Sequence, residues 1–220
     1  MNDDAKILNT PGIHAGFRRW FKKTPQHTRY LVCKIFEELI PELLSHGFII
    51  VNSGAPNYIT LQRKNGEEWP VIEFKFDKRF RPYFWMSFAF LPPICKRMTK
   101  VAYIDIPREK ADIIEGVVVF NIINKKPYSP YSGFGMFGIF SHLLSLQFIR
   151  VLHYLILPNS LIDSQIETAK SRLTEAMTVI DNGMKPEWYK KPPNEIGNHI
   201  IQVRSWVSIE RFYLKPNVTR

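Results

Sequence analysis

Residues 71–77 alternate apolar with charged side chains: Ile72, Phe74 and Phe76 against Glu73, Lys75 and Asp77. Successive side chains of an extended backbone point to opposite faces. The pattern therefore specifies a strand with one face on a core. Neighbouring segments repeat it in short pieces. Residues 48–51, 58–63 and 83–91 read as strands, with Asn65-Gly66 as a turn and Pro92-Pro93 as a stop. Residues 100–106, 116–123, 199–207 and 209–214 extend the set, and a short helix opens near 105–110. Short neighbouring strands with tight turns predict an antiparallel meander.

Helical periods flank the strands. Thr24-Pro25 reads as a capping hydroxyl followed by proline at the first helical position. Leu31, Ile35, Leu39 and Leu43, with Ile40 and Leu44, then recur at helical spacing, and Gly47 supplies the stop. An apolar stretch over 139–157 predicts a second helix. Ser141, His142, Ser145, Gln147, Arg150 and His153 interrupt it, so it reads as a buried helix and not a membrane span. Ser164-Gln165-Ile166-Glu167 has the form of a capping box. Ile166, Ala169, Leu173, Ala176, Met177 and Ile180 form the stripe of a third helix, ended by Asn182-Gly183.

The expectation is an α+β fold. A mostly antiparallel sheet of about five to seven strands carries an N-terminal helix and two later helices on one face. Residues 1–23 form a basic and aromatic arm, and residues 24–220 a single α+β domain, in keeping with a length of 220 residues. A chain this long buries about 70% of its unfolded surface and folds without staples. Cys33 and Cys95 are too few for a disulfide framework or a zinc site. No basic-then-apolar leader follows Met1, which predicts a cytoplasmic protein with reduced thiols.

Lysine and arginine number 30 against 20 acidic residues, a formal charge of +10. Composition excludes disordered and collagen-like classes, and the excess charge points to an anionic partner, nucleic acid or an acidic protein. One candidate surface is the run Phe17-Arg18-Arg19-Trp20-Phe21-Lys22-Lys23, in which Arg18, Arg19, Trp20 and Lys22 mix charge with stacking capacity. The same run can dock its aromatics on a core while the cationic stems stay wet. A second candidate comprises Lys78, Arg79 and Arg81. Tyr83, Trp85, Lys96, Arg97 and Lys100 follow, and Arg63 and Lys64 could join them on neighbouring strands. Peripheral membrane contact through the arm and residues 128–137 is a third reading.

Other motifs carry less chemistry. Gly133 to Gly138 spell G-x-G-x-x-G, but no strand leads straight into them, so they read as a loop. His142 and His153 lie about 16 Å apart along a helix axis and cannot share a metal. Glu73 and Lys75 lie two apart on a strand and share a face. Such a carboxylate can hold a divalent ion while the lysine assists an attacking water. The alternative reading is a charged, solvated outer face.

Glu73-Phe74-Lys75, in a chain ordered helix, three strands, helix, strand, resembles the PD-(D/E)XK nuclease family. The resemblance implies Glu73 and Lys75 as catalytic residues and Mg²⁺ or Mn²⁺ as cofactor. It also implies a helix carboxylate, with Glu37, Glu38 or Glu42 in place. Pro56-Asn57 stands where that family has a proline-aspartate dyad, so the aspartate is missing. A further resemblance is to small uncharacterised bacterial α+β domains. It is carried by Leu43-Leu44-Ser45-His46-Gly47-Phe48, Tyr58-Ile59-Thr60-Leu61-Gln62-Arg63 and the 71–76 strand. It implies a stand-alone domain and no catalytic residues. The leading expectation is a non-enzymatic interaction module, without cofactor or bound metal, that takes an anionic partner on its basic and aromatic surface. The alternative is a degenerate or active metal-dependent nuclease.

Overall fold

The computed structural model describes residues 3–52, 56–64, 66–67, 69–99, 102–116, 119–122, 134–135, 159–183, 195–196 and 199–202. Two short helices open it, α1 (Asp3–Asn9) and α2 (Ala15–Lys22). The long helix follows in three pieces: α3 (Gln26–Lys34), a π turn over Ile35–Leu39, and α4 (Ile40–Ser45). The meander comprises β1 (Ile49–Val51), β2 (Tyr58–Gln62), β3 (Trp69–Phe76) and β4 (Tyr83–Leu91). Next come β5 (Cys95–Met98), β6 (Tyr103–Ile106), β7 (Val119–Ile122) and β8 (Phe134–Gly135). Helix α5 (Asn159–Asp181), β9 (Glu195–Ile196) and β10 (His199–Gln202) complete the described elements.

The main sheet runs β1-β2-β3-β4-β7-β10-β9, with β8 beside β4. The β5–β6 hairpin is a sheet of its own, and the pairings along the main sheet are antiparallel. The fold is α+β, as the strand and helix periods predict. The expected helix over 139–157 with His142 and His153, the glycine motif and the 128–137 segment apart from Phe134-Gly135, Lys100, residues 203–207 and the 209–214 strand lie outside the described residues.

Several boundaries differ from expectation for local reasons. Thr24 does not cap the long helix. Its hydroxyl donates to the Phe21 carbonyl at 2.7 Å and closes α2, while Pro25 itself takes the extended cap position. The π turn precedes Pro41. A proline ring crowds the carbonyl four residues back and offers no N–H. The widened turn, in which the Ile40 N–H reaches the Ile35 carbonyl, accommodates it. Helix α5 starts before the expected capping box, so Ser164 sits within it and its carbonyl accepts from the Thr168 hydroxyl at 2.8 Å. Gly47 and Gly183 end their helices in the left-handed region, at φ 81° and 73°.

One core fills the space between the helices and one face of the sheet. From β3 come Ile72, Phe74 and Phe76, and from β4 come Phe84, Met86 and Phe88. Facing them are Phe17 and Phe21 of α2, Leu31 and Val32 of α3, Leu43 of α4, and Ile166, Leu173 and Ile180 of α5. A smaller cluster lies on the other face at one end: Val71, Ala89, Leu91, Cys95, Ala111, Ile113 and Val119.

The burial of two charged residues corrects the expectation of a solvated outer face. Glu73 and Asp77 are 6% and 4% exposed, and of the three charged residues only Lys75 lies in the open. Cys95 of the β5–β6 hairpin, Ala111, and Ile113 of the 3-10 turn Ile113–Glu115 are the buried residues that cover that end, and a second 3-10 turn, Arg108–Lys110, lies before Ala111.

Candidate functional site

Helix α2 owes its form to a divided pattern. Phe17, Trp20 and Phe21 fall on one side, and Arg19 and Lys22 on the other. The His14 ring nitrogen accepts from the Gly16 N–H at 2.9 Å and starts the helix. Its aromatic side is deeply packed. Phe17 lies 5.7 Å from Phe76 and Trp20 lies 5.4 Å from Phe76, centroid to centroid. The arm thus docks through its aromatics. Trp20 is 8% exposed and is a core residue rather than a stacking platform, a correction to its reading as a binding residue.

The hairpin loop between β3 and β4 is fixed by Asp77. Its carboxylate accepts from the Arg79 N–H at 2.6 Å and from Arg81 Nε at 2.7 Å, and it pairs with the Arg81 guanidinium. Phe80 adopts φ 60°, stacks on Trp20 at 6.0 Å, and its carbonyl accepts from the Thr28 hydroxyl. The loop is therefore latched onto α2 and α3, with Lys78 and Arg79 directed to solvent.

Two cationic segments remote in sequence now adjoin. Arg19, Lys22 and Lys23 on α2 and at its end, with Lys78 and Arg79 on the loop, are all exposed. Among the described residues none of these five has an acidic partner. Lys23 is a member that sequence reasoning left aside, although it closes the same run. Arg18 is half-buried and donates to the Thr10 carbonyl at 3.3 Å, and Arg81 is held by Asp77. Those two serve the fold.

Among the described residues, the cations of the wider band are each engaged elsewhere. Arg63 pairs with Asp181 at 2.8 Å and lies over the Phe48 ring at 5.1 Å. Lys64 lies over Trp69 at 5.1 Å, Lys96 lies 3.9 Å from Asp105, and Arg97 is bound to Glu115 at 2.7 Å.

Glu73 and Lys75 do share a face, as spacing requires. In register, Glu73 stands between Thr60 and Ser87, and Lys75 between Tyr58 and Trp85. The Lys75 ammonium lies 5.7 Å from the Tyr58 ring and 5.3 Å from the Trp85 ring. Thr60 is buried, and its hydroxyl finds no hydrogen-bond partner among the described residues. The helix carboxylate is elsewhere. Glu37 and Glu38 both pair with Lys34 at 3.4 Å, in the helix layer that covers the opposite face of the sheet. Burial works against the Lys34 charge, but hydrogen bonds to Glu38 and Glu37 outweigh it and raise its pKa. Asn57, at the place of the missing aspartate, is buried and donates its amide to the Phe76 carbonyl. Its own carbonyl accepts from the Phe76 N–H at 2.9 Å, so it anchors the end of β3. Among the described residues no three His, Cys, Asp or Glu side chains converge as metal ligands. Nor is any helix there long and apolar enough to cross a membrane.

One charged cluster joins Arg97 to two carboxylates, Asp112 and Glu115, that the sequence reading did not single out. The Asp112 carboxylate accepts from the Ile114 N–H at 2.8 Å, and Glu115 accepts from the Asp112 N–H at 2.8 Å, a reciprocal capping box. Asp112-x-x-Glu115 was the visible signal. Arg97 closes the cluster on Glu115 with two bonds, at 2.7 and 3.2 Å. Burial, and then the charge of Glu115, push the Asp112 carboxyl up to about 6.

The basic surface on α2 and the hairpin loop is thus the arrangement in which chemistry and exposure coincide. No protein family, curated protein or solved structure matches the chain.

Proposed function

We propose that the protein is a non-enzymatic interaction module that binds an anionic macromolecule. The contact surface is made by Arg19, Lys22, Lys23, Lys78 and Arg79. One observation supports this reading: the Trp20–Phe80 contact joins the helix that carries Arg19 and Lys22 to the loop that carries Lys78 and Arg79, and among the described residues these exposed side chains make no ion pair. Clustered cations of this kind attract polyanions through charge and release of counterions. Nucleic acid and acidic protein both meet that description. The nuclease alternative keeps Glu73 and Lys75 on one face, but Glu37 lies in the layer beyond the other face.

The test is titration of the purified chain with labelled nucleic acid and with polyglutamate, across a salt series, with EDTA or with Mn²⁺. Salt-sensitive binding that is indifferent to EDTA is expected, together with its loss in Lys22→Glu/Lys78→Glu. Absence of binding to either polyanion at low salt sinks the reading. Metal-dependent cleavage abolished by Glu73→Gln would put the nuclease in its place.

A further inference from the structure

We infer that the outer face of the sheet seats a base of single-stranded nucleic acid between Tyr58 and Trp85, with Lys75 turning to its phosphate. The inference rests on the reading just given and names its partner.

The seat is built by register. Tyr58, Lys75 and Trp85 stand opposite one another on β2, β3 and β4. They form one row on the face that looks away from the helices, since Phe74 and Phe76 of β3 face the helical core. Neighbouring strands lie about 4.8 Å apart, which sets the two rings on either side of the lysine. Lys75 is exposed and both rings are half-buried. The Lys75 ammonium lies 5.7 Å from the centre of the Tyr58 ring and 5.3 Å from that of Trp85. Rings that stack are centred about 4.5–7 Å apart. The ammonium therefore holds a position from which a flat ring would contact both. Trp85 is braced by Tyr83, whose buried ring meets it at 4.4 Å and 78°.

The charge offered at this row is positive. Glu73 and Asp77 share its face but are 6% and 4% exposed, and Asp77 pairs with Arg81. Lys78 and Arg79 follow Lys75 by three and four residues, a reach of at most about 11 and 14 Å along the chain. A strand that passes from the hairpin loop onto the sheet thus keeps phosphates on cations while a base enters the row. Lysine suits the exchange, because its flexible four-carbon stem lets the ammonium leave the rings for a phosphate oxygen. Stacking holds the base, and every base has a flat face, so the seat is tolerant of sequence. A duplex keeps its bases within the stack. An acidic protein segment is drawn to the cations but brings no base for the rings. A cationic ligand for the same rings would meet Lys75, Lys78 and Arg79.

The experiment uses the full chain and four labelled probes at matched salt. They are a short DNA strand, an abasic strand of the same length, the strand paired with its complement, and polyglutamate. The strand with bases is expected to bind about tenfold or more tighter than the abasic strand, which carries the same phosphates. Trp85→Ala should remove most of that difference while the circular dichroism stays in place, and Trp85→Phe, which keeps a ring, should retain part of it. Lys78→Glu should weaken both strands alike. Equal affinity for the two strands of the natural chain overturns the inference and leaves the anion-binding reading standing, and this comparison needs no variant. A duplex or polyglutamate bound more tightly than the single strand does the same. A folded Trp85→Ala that keeps the full preference for bases also overturns the inference. Failure to bind any of the four at low salt overturns both.

Discussion

The indole of Trp20 and the ring of Phe80 stack with centroids 6.0 Å apart and planes inclined by 20°. That contact joins α2 to the hairpin loop and sets the geometry of the basic surface. Phe80 holds φ 60°, a conformation that costs a bulky L-residue on the order of 1–3 kcal/mol. The ring contact and the Thr28 hydrogen bond offset that cost.

This arrangement separates two substitutions at Phe80. Alanine removes the ring and keeps the backbone penalty, whereas glycine removes both. Phe80→Ala should therefore be less stable than Phe80→Gly by about 1 kcal/mol in urea melts. Both should loosen the loop and, on the proposed function, weaken binding of polyanions. An alanine variant as stable as the glycine variant would show that the left-handed backbone is not under strain.

The N-terminal segment is tied to the sheet at Gly12. Its φ is 80°, and a Cβ there would sit 2.2 Å from the Ile50 carbonyl oxygen. Gly12→Ala must therefore displace the chain from the edge strand β1. It should cost about 2 kcal/mol or more, from steric conflict and from the positive φ together. Limited proteolysis should then cut within residues 1–23 before the rest. Unchanged stability and protection would mean that the segment is held from α2 alone.

The period of residues 71–77 disclosed which side chains of β3 meet the helices, and the helical stripe from Ile166 to Ile180 disclosed the buried side of α5. Both are local repeats, and local repeats are what a sequence displays. The fate of the other sheet face was not legible. Glu73 looks solvated in a strand pattern, yet between Thr60 and Ser87 it is 6% exposed, which its own segment does not announce. The basic run on α2 was visible, but its inward turn at Trp20 and its junction with Lys78 and Arg79 depend on a ring contact that no spacing rule encodes. The three-piece helix was half legible. Pro41 marks the obstacle, while the choice of a π turn over a break follows from the packing of Ile35, Leu39 and Leu43.

The Asp112 cluster gives stability a dependence on pH of definite sign. Its folded pKa is about 6 against an ordinary 3.8, raised by burial and then by Glu115. The native state therefore holds a proton that the unfolded chain has lost. The stabilisation is fully present below 3.8 and disappears as pH rises through about 6. Its size is at most about 3 kcal/mol. Asp112→Asn keeps an oxygen for the Ile114 N–H and removes the charge, and Arg97 remains on Glu115. The variant's advantage over the natural chain should be small at pH 4 and grow toward pH 7 in denaturant melts. An advantage that shrinks with pH would reverse the sign of the argument.

The two cysteines should differ by access. Cys95 is 0% exposed within the second cluster, with its thiol 3.6 Å from the Pro92 carbonyl oxygen. Burial, and then the charge of Glu115, push that thiol up to about 11, so little thiolate is present at neutral pH. Cys33 is half-buried on α3 and lines a cleft of about 310 Å³ beside Arg29 and Lys34. A thiol-exchange reagent should therefore titrate one cysteine quickly in the native protein, and Cys33→Ser should abolish that fast phase. Cys95 should react only as the β5–β6 hairpin and the Ile113–Glu115 turn come away from the sheet, at a rate that rises with urea. Two fast phases in the native protein would mean that this corner opens without global unfolding.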